Sequence, residues 1–231
     1  MEAQLAGSET GAPQGNAPFA KAGHLWLVAS VRNAEAELQG ILRQARACTV
    51  CAKHLPFPPR PVLRASSTAR LLVVGQAPGR KVQETGIPWN DLSGDRLRLW
   101  LGLSREEFYD ETRLAIIPTG FCYPGKGKGG DSPPRPECAP LWHPKLRAAL
   151  PHIQLTLLIG SHAQAYYLGT RRKKTLADTV QAWREYLPEF LPLPHPSPRN
   201  LRWFRSHPWF EAEVVPALKK RVHEILKASQ G

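Results

Sequence analysis

One short stretch decides the fold: LLVVGQAPG, residues 71–79. Its four apolar residues run without a polar break into a loop that contains two glycines and a proline. An apolar run of this kind is typical of a strand buried on both faces, as strands of parallel sheets are. Ligands of parallel α/β sheets bind at loops that leave the carboxyl ends of strands, so residues 75–79 are candidates for a functional site. The loop fits neither the phosphate-binding pattern G-x-x-x-x-G-K-[ST] nor G-x-G-x-x-G, and taken alone it is equally compatible with a tight structural turn.

The flanking sequence repeats the alternation of strand and helix. Further strands are predicted by apolar runs at 114–117, Leu155–Ile159 and Phe190–Leu193. Helices are predicted by periodicity at 31–47, 93–101, 137–150, 161–168 and 209–227. Ser104 and Glu107 have the spacing of a capping box and predict a short extra helix. This alternation favours an α/β fold with a parallel sheet and right-handed crossovers.

The composition is that of a basic globular chain. Among 231 residues, 31 are Lys or Arg and 19 are Asp or Glu, which gives a net charge of +12. Such an excess favours a polyanionic partner, with nucleic acid preferred over an anionic membrane surface, although charge that serves only solubility is the alternative. No apolar run approaches the ~18 residues of a membrane-spanning helix.

The ends of the chain add expectations about organisation. Residues 1–22 are rich in Ala, Gly, Gln and Pro without periodicity, and we expect them to be a disordered lead to a single domain at 23–231. The first residues lack the basic start and apolar core of a secretory signal, so we expect a cytoplasmic protein. No oligomerisation device is visible, and a monomer is expected.

The four cysteines predict a metal centre. In a reducing compartment Cys48, Cys51, Cys122 and Cys138 are better candidates for metal ligands than for disulfides. Four thiolates suit either a tetrahedral zinc ion or an iron–sulfur cluster, and spacing alone leaves both open.

A second loop joins the first at the same edge of the predicted sheet. The last strand leads into HPSPRNL, residues 195–201, and the first loop continues into WNDLSGD, residues 89–95. Since carboxyl ends of parallel strands share one edge, His195 and a carboxylate such as Asp91 are expected to face one crevice.

Together these loops resemble the uracil-DNA glycosylase superfamily, and the cysteine pattern is similar to that of its iron–sulfur type, families 4 and 5. The resemblance covers roughly residues 40–226. It implies a three-layer α/β/α sandwich around a central four-stranded parallel sheet. It also implies removal of uracil from DNA by hydrolysis of the N-glycosidic bond, with uracil-containing DNA as the partner and a [4Fe–4S] cluster held by the four cysteines.

The resemblance assigns roles residue by residue. Its catalytic candidates are His195, Asp91 and Gln76, the last standing where family 4 usually has Glu. Its base-binding candidates are Gly75, Gln76, Ala77, Trp89, Thr119 and His195, with Trp89 as the stacking residue and Thr119 in the region where family 4 has an Asn that reads uracil. Its DNA-binding candidates are Ser197, Arg199, Asn200, Leu201 and Arg202, with Leu201 as the wedge that fills the space of a flipped nucleotide.

Alternative interpretations stay open at several of these positions. Asp91 is also suited to cap a helix or to stand in solvent, although Asp95 is the residue expected to begin the helix. Trp89 is also suited to a core, and the aromatic pair at 203–204 to anchoring the last helix. The basic runs at 126–128 and 171–174 are either phosphate contacts or solvated surface. For the whole protein, release of another deaminated base, such as hypoxanthine or xanthine, and an inactive DNA-binding scaffold are the alternatives.

Overall fold

The computed structural model describes residues 19–227, with side chains from residue 33 onward. The strands are β1 (Leu71–Val74), β2 (Leu114–Ile116), β3 (Lys126–Gly127), β4 (Gly130–Asp131), β5 (Leu155–Ile159) and β6 (Phe190–Leu193). The helices are α1 (Phe19–Arg46), α2 (Arg80–Thr85), α3 (Leu92–Leu101), α4 (Arg105–Tyr109), α5 (Cys138–Ala148), α6 (Gly160–Leu168), α7 (Leu176–Gln181), α8 (Leu201–Ser206) and α9 (Val215–Lys227).

A parallel sheet with the strand order β2-β1-β5-β6 forms the centre of the described chain. Leu71 of β1 lies opposite Leu114 of β2 on one side and Leu155 of β5 on the other. Each residue of β1 is fully buried, as its unbroken apolar run predicts. The α/β class and the four-stranded parallel sheet are confirmed.

Two apolar layers enclose the sheet, and β1 divides its side chains between them by the two-residue period of a strand. Leu71 and Val73 face a core that includes residues of α3, α8 and α9. Leu72 and Val74 face a second core that includes residues of α1, α5 and α6. Helices therefore cover both faces, which is the three-layer arrangement. It leaves the loops after β1 and β6 exposed at one edge.

The element boundaries differ from expectation mainly at the helices. The first helix begins at Phe19 rather than at residue 31, so the last four residues of the expected disordered lead lie in a helix. Residues 1–18 lie outside the described residues. The last predicted helix is divided into a π-helical turn, Phe210–Val214, and α9. Ser104 does form the predicted capping box with Glu107 at the start of α4.

Sequence reasoning missed α2, α7, α8 and the β3–β4 hairpin. Each of these helices has six residues, which is too short for a 3.6-residue period to show. Within residues 19–227, no helix is long and apolar enough to cross a membrane.

Candidate active site

A cleft of about 500 Å³ opens at the edge of the sheet where β1 and β6 end. Nine of the residues that the sequence singled out line it: Gly75, Gln76, Ala77, Trp89, Asp91, His195, Ser197, Arg199 and Asn200. Since these residues come from loops far apart in the chain, the parallel sheet alone brings them together.

Trp89 is held in the cleft by a backbone conformation that side chains rarely adopt. Its φ of 56° lies in the left-handed region, which is uncommon and costly for a bulky residue. Arg98 donates a hydrogen bond to the Trp89 carbonyl at 3.3 Å. The Tyr109 hydroxyl donates to the carbonyl of the preceding Pro88 at 2.7 Å. These contacts hold the indole in one position.

Gly75 is the surface against which that indole packs. A Cβ at residue 75 would lie 2.9 Å from Cζ2 of Trp89, closer than real Cβ contacts. The glycine that begins the loop after β1 is therefore needed because the tryptophan of a later loop occupies the space of a side chain.

The neighbouring hydrogen bonds fix the protonation of His195. The Ser197 backbone N–H donates to Nδ1 of His195 at 3.1 Å, so Nδ1 is an acceptor and we assign the ring proton to Nε2. Burial lowers the pKa of His195, while the negative charge of Asp91 acts in the opposite direction. The Asn200 side chain donates to the His195 carbonyl at 2.8 Å and holds the loop. The site therefore contains a neutral imidazole with a hydrogen-bond donor at Nε2.

Asp91 has two roles in the site: it caps α3 and it lines the cleft. Its Oδ1 accepts a hydrogen bond from the Gly94 N–H at 2.9 Å, which makes it the N-cap of α3. The expectation that Asp95 begins this helix is wrong, because Asp95 lies in the first turn and pairs with Arg98. Asp91 also lines the cleft, where its Oδ2 accepts no hydrogen bond from a described residue.

Gln76 ties the first loop to the chain beyond β4. Its Nε2 donates to the Ser132 carbonyl at 3.0 Å. An amide has no proton-accepting carboxylate, so Gln76 positions the loop and offers its other amide atoms to a ligand.

Thr119 lies behind the first loop rather than in the cleft. Its side chain is buried, and its hydroxyl contacts the Gly75 carbonyl at 3.2 Å and the Gln76 carbonyl at 2.6 Å. Pro118, not Thr119, lines the cleft at this point. The structure places Thr119 as a support for the loop, and its assignment as a base-binding residue stays a prediction.

The run after His195 divides between the cleft and the surface. Ser197, Arg199 and Asn200 line the cleft. Leu201 and Arg202 do not line the cleft. Both are exposed, Leu201 by 46%. The aromatic pair that follows packs into the core of α3 and α9, as the anchoring interpretation predicts.

Comparison with known families agrees with this geometry. Residues 64–219 match the family described as Uracil DNA glycosylase superfamily. The chain belongs to this superfamily. It is therefore a DNA glycosylase by family, and DNA is the partner on which the family acts. The match includes the sheet from β1 to β6 and both loops of the cleft.

One carboxylate that lines this glycosylase cleft is not among the site residues predicted from the sequence. Asp131, at the end of the β3–β4 hairpin, lines the cleft together with Gly129 and Gly130. The signal available was a carboxylate that ends the glycine-rich run GKGKGGD at 125–131. The sequence-based prediction for this run concerns only its lysines, as phosphate contacts or solvated surface.

The four cysteines of this superfamily member come together at a second place. Cys48, Cys51, Cys122 and Cys138 line one cavity of about 20 Å³ with Phe121. Burial raises the pKa of Cys122 to about 11 and that of Cys138 to about 12. Among the described residues, no three His, Cys, Asp or Glu side chains are arranged closely enough to hold a metal ion.

The chemistry of this donor set fits either of two groups. Cysteine thiolates are ligands of structural zinc ions and of iron–sulfur clusters. The four thiols line the same cavity, and four is the number that each of these groups takes.

Proposed function

We propose that this glycosylase hydrolyses the N-glycosidic bond of uracil in DNA and leaves an abasic site, as a monofunctional enzyme of base excision repair. The observation that carries the proposal is the hydrogen bond from the Ser197 N–H to Nδ1 of His195, which assigns the ring proton to Nε2. A neutral imidazole with its proton on Nε2 lies in the same cleft as Asp91 and Trp89. This is a donor without a formal charge, next to a carboxylate and an aromatic face.

His195 supports departure of the base. When the bond between C1′ of deoxyribose and N1 of uracil breaks, its electron pair goes to the base and accumulates largely at O2. A hydrogen bond from Nε2–H of His195 to that oxygen becomes stronger as the charge develops, and it requires no reorganisation because Ser197 fixes the ring.

Asp91 supports the other half of the reaction. Water forms the new bond to C1′, and its proton passes to the Asp91 carboxylate, while the uracil anion later takes a proton from solvent. General-base assistance of this kind contributes typically about 10²–10⁴-fold. Because water is the nucleophile, no amine of the protein needs to form a covalent intermediate.

Trp89 and the loop after His195 hold the flipped nucleotide. Flipping costs a few kcal/mol, and stacking on an aromatic ring helps to offset that cost. The indole is confined between Gly75 and His195, so it is already in position. Arg199 at the cleft and exposed Leu201 beside it suit a phosphate contact and a wedge.

A second candidate, release of hypoxanthine or xanthine, is favoured by one observation. Pro118, which has no N–H, lines the cleft where the resemblance places a side chain that reads uracil. Backbone groups and the amides of Gln76 and Asn200 remain as readers in the cleft. Such a site suits more than one base edge.

We also propose that the four cysteines hold a [4Fe–4S] cluster. When bound, the cluster supplies a structural cross-link and no step of base release. Cys48 and Cys51 follow α1, Cys122 follows β2, and Cys138 begins α5, so the cross-link joins three separate parts of the second core. Protein purified without oxygen is expected to be brown, with about four irons per chain, and the Cys138→Ala variant is expected to lose iron and melt earlier. A colourless protein that contains zinc and no iron contradicts the cluster.

The experiment that tests the function measures base release directly. Single- and double-stranded oligonucleotides with one uracil are incubated with the protein and then treated with hot alkali. We expect strand cleavage only after alkali, as for an abasic product without lyase action. His195→Ala is expected to lower the rate by about 100-fold or more. His152→Ala serves as the control, because this exposed histidine lies before β5, outside the cleft.

Oligonucleotides with hypoxanthine or xanthine complete the panel. Cleavage of these alone favours the second candidate. Salt-dependent DNA binding with no base release from any oligonucleotide contradicts the enzyme proposal and leaves a DNA-binding scaffold.

A further inference from the structure

The β3–β4 hairpin brings a second carboxylate to the cleft. Asp131 lines the cleft together with Asp91 and His195. Its Oδ2 lies 3.3 Å from the position that a Cβ on Gly79 would occupy, so the carboxylate lies against the end of the first loop. This is a residue that neither the loop motifs nor the family match assigns.

Both loops of the active site hold this hairpin. From the first loop, Gln76 donates to the Ser132 carbonyl at 3.0 Å, next to Asp131. From the loop after His195, Arg199 donates to the Gly129 carbonyl at 3.4 Å. The Arg199 Nη1 also lies 2.7 Å from the position of a Cβ on Gly130, so the absence of a side chain there lets the guanidinium approach. The hairpin is therefore positioned by the same residues that shape the cleft.

The pKa of Asp131 is raised from its ordinary value, and the neighbours of the carboxylate act on it in opposite directions. Partial burial raises the pKa of Asp131, and the nearby charge of Asp91 acts in the same direction. The positive charge of Arg199 and the nearby Tyr123 hydroxyl act against this and favour the ionised form. Tyr123 itself is buried, with 6% of its surface exposed.

The cleft has a chemical need for this second carboxylate. Gln76 provides an amide where the resembling first motif has an acid, and one oxygen of Asp91 is already used to cap α3. The proposed reaction develops positive charge on deoxyribose at the same time as it needs a base for water. One partly used carboxylate serves both demands poorly.

We propose, on the basis of the proposed function, that Asp131 is a further catalytic residue of base release. Its ionised carboxylate stabilises the positive charge on deoxyribose while the bond from C1′ to N1 breaks. Asp91 then accepts the proton of the attacking water as that oxygen bonds to C1′. Asp131 is exposed in the structure, so its stabilisation of such a cation grows when bound DNA displaces water from the cleft.

The test compares two substitutions that remove the same charge. Asp131→Asn and Asp178→Asn each replace a carboxylate by an amide, so each removes one negative charge from the chain. Asp178 is exposed on α7 and does not line the cleft. Single-turnover base release from a uracil oligonucleotide, affinity for the same oligonucleotide with an uncleavable analogue, and the melting temperature are measured for each protein.

We expect Asp131→Asn to lower the single-turnover rate by about 100-fold, within the range of positioned acid–base groups, with affinity for DNA unchanged or slightly tighter. Asp178→Asn is expected to match the unaltered protein. Asp131→Glu keeps the charge and is expected to recover at least part of the rate. A rate for Asp131→Asn within twofold of the control, in a protein that does release uracil, overturns this inference and leaves the proposed function intact.

A merely structural role for Asp131 gives a different pattern. If the carboxylate only holds the hairpin through Tyr123, then Tyr123→Phe and Asp131→Asn should lower the melting temperature and the rate together. That result overturns the catalytic assignment. Failure of the unaltered protein to release any base overturns the proposed function, and this inference with it.

Discussion

The indole of Trp89 packs on the imidazole of His195, with ring centroids 5.6 Å apart and ring planes inclined by 32°. Trp89 comes from the loop between α2 and α3, and His195 comes from the loop after β6. The aromatic face proposed for the base and the donor proposed for its O2 oxygen are therefore one packed unit. A change that moves either ring is expected to affect both stacking and leaving-group stabilisation.

Gly75→Ala is the smallest change that moves this unit. The new methyl group would lie 2.9 Å from Cζ2 of Trp89, so the indole has to move while the chemistry of every polar group stays the same. We expect base release to fall by about tenfold or more, since small misplacements in an active site carry large rate costs. Single-turnover kinetics measures the effect.

Gly40→Ala is the matched control for this substitution. In α1 the nearest neighbour of the added methyl group is the end of the Arg43 side chain at 3.9 Å, an ordinary contact. Its rate should equal that of the unaltered protein, and its helix should gain slightly in stability. Equal rates for both alanine variants contradict the assignment of the indole as a positioned platform.

The supporting role of Thr119 gives a prediction about base choice. Thr119→Val removes the hydroxyl that donates to the Gly75 and Gln76 carbonyls in a buried site. Both carbonyls keep a backbone hydrogen bond, from the N–H groups of Thr119 and Gly120, so the cost is that of one net hydrogen bond, about 0.5–1.5 kcal/mol. We expect a lower melting temperature and slower release of every accepted base by a similar factor. Thr119→Ser keeps the hydroxyl and should stay close to the unaltered protein. A change in the ratio of uracil to hypoxanthine release would instead mean that Thr119 reads the base.

The sheet and both loops of the cleft could be predicted from local patterns, because each pattern lies in a continuous run of residues. The apolar run of β1 is continuous in sequence, and the position of His195 follows from the end of β6. Because the carboxyl ends of parallel strands lie at one edge of the sheet, the loops that follow β1 and β6 are expected to meet there. This is why the place of the cleft, with His195 and a carboxylate, could be predicted from local patterns, whereas the other candidate residues came from the family resemblance.

What sequence could not supply depends on contacts across the fold. Asp91 rather than Asp95 caps α3, because the helix begins at Leu92 and Asp95 already lies in its first turn. Thr119 points at the back of the first loop because its hydroxyl is satisfied by that loop's carbonyls. Asp131 reaches the cleft only through a hairpin of two-residue strands, which has no periodicity to detect.

His143 predicts how stability depends on pH. Its Nε2–H donates to the Pro118 carbonyl at 3.0 Å and its Nδ1 lies 2.7 Å from the Tyr167 hydroxyl, so α5 supports a residue that lines the cleft. Burial lowers the pKa of His143 from 6.5 to about 4. Because the folded value is below the unfolded one, this contribution to stability is complete above the unfolded pKa and is lost as pH falls towards the folded pKa. Between about pH 7.5 and about pH 5 it should cost about 2 kcal/mol.

Urea unfolding at the two pH values measures this contribution. Carboxylates add to the pH dependence of every variant, so the comparison is between proteins. His143→Gln should be less stable at neutral pH yet lose less stability on acidification than the unaltered protein. His152→Gln, at an exposed position, should retain the full dependence. A dependence unchanged in His143→Gln contradicts the buried neutral state.

Leu201 predicts a difference between single- and double-stranded substrates. The residue is 46% exposed at the start of α8, directly after the loop that holds His195. A wedge matters only where a base pair has to be opened, because a single strand has little stacking to replace. We expect Leu201→Ala to slow release from duplex DNA by about tenfold, or roughly 1.4 kcal/mol, with a much smaller change on single strands. Leu99→Ala, at a leucine that is 67% exposed on α3 and outside the cleft, should leave both rates unchanged. Equal slowing of Leu201→Ala on both substrates would show that the leucine supports the loop rather than the flipped state.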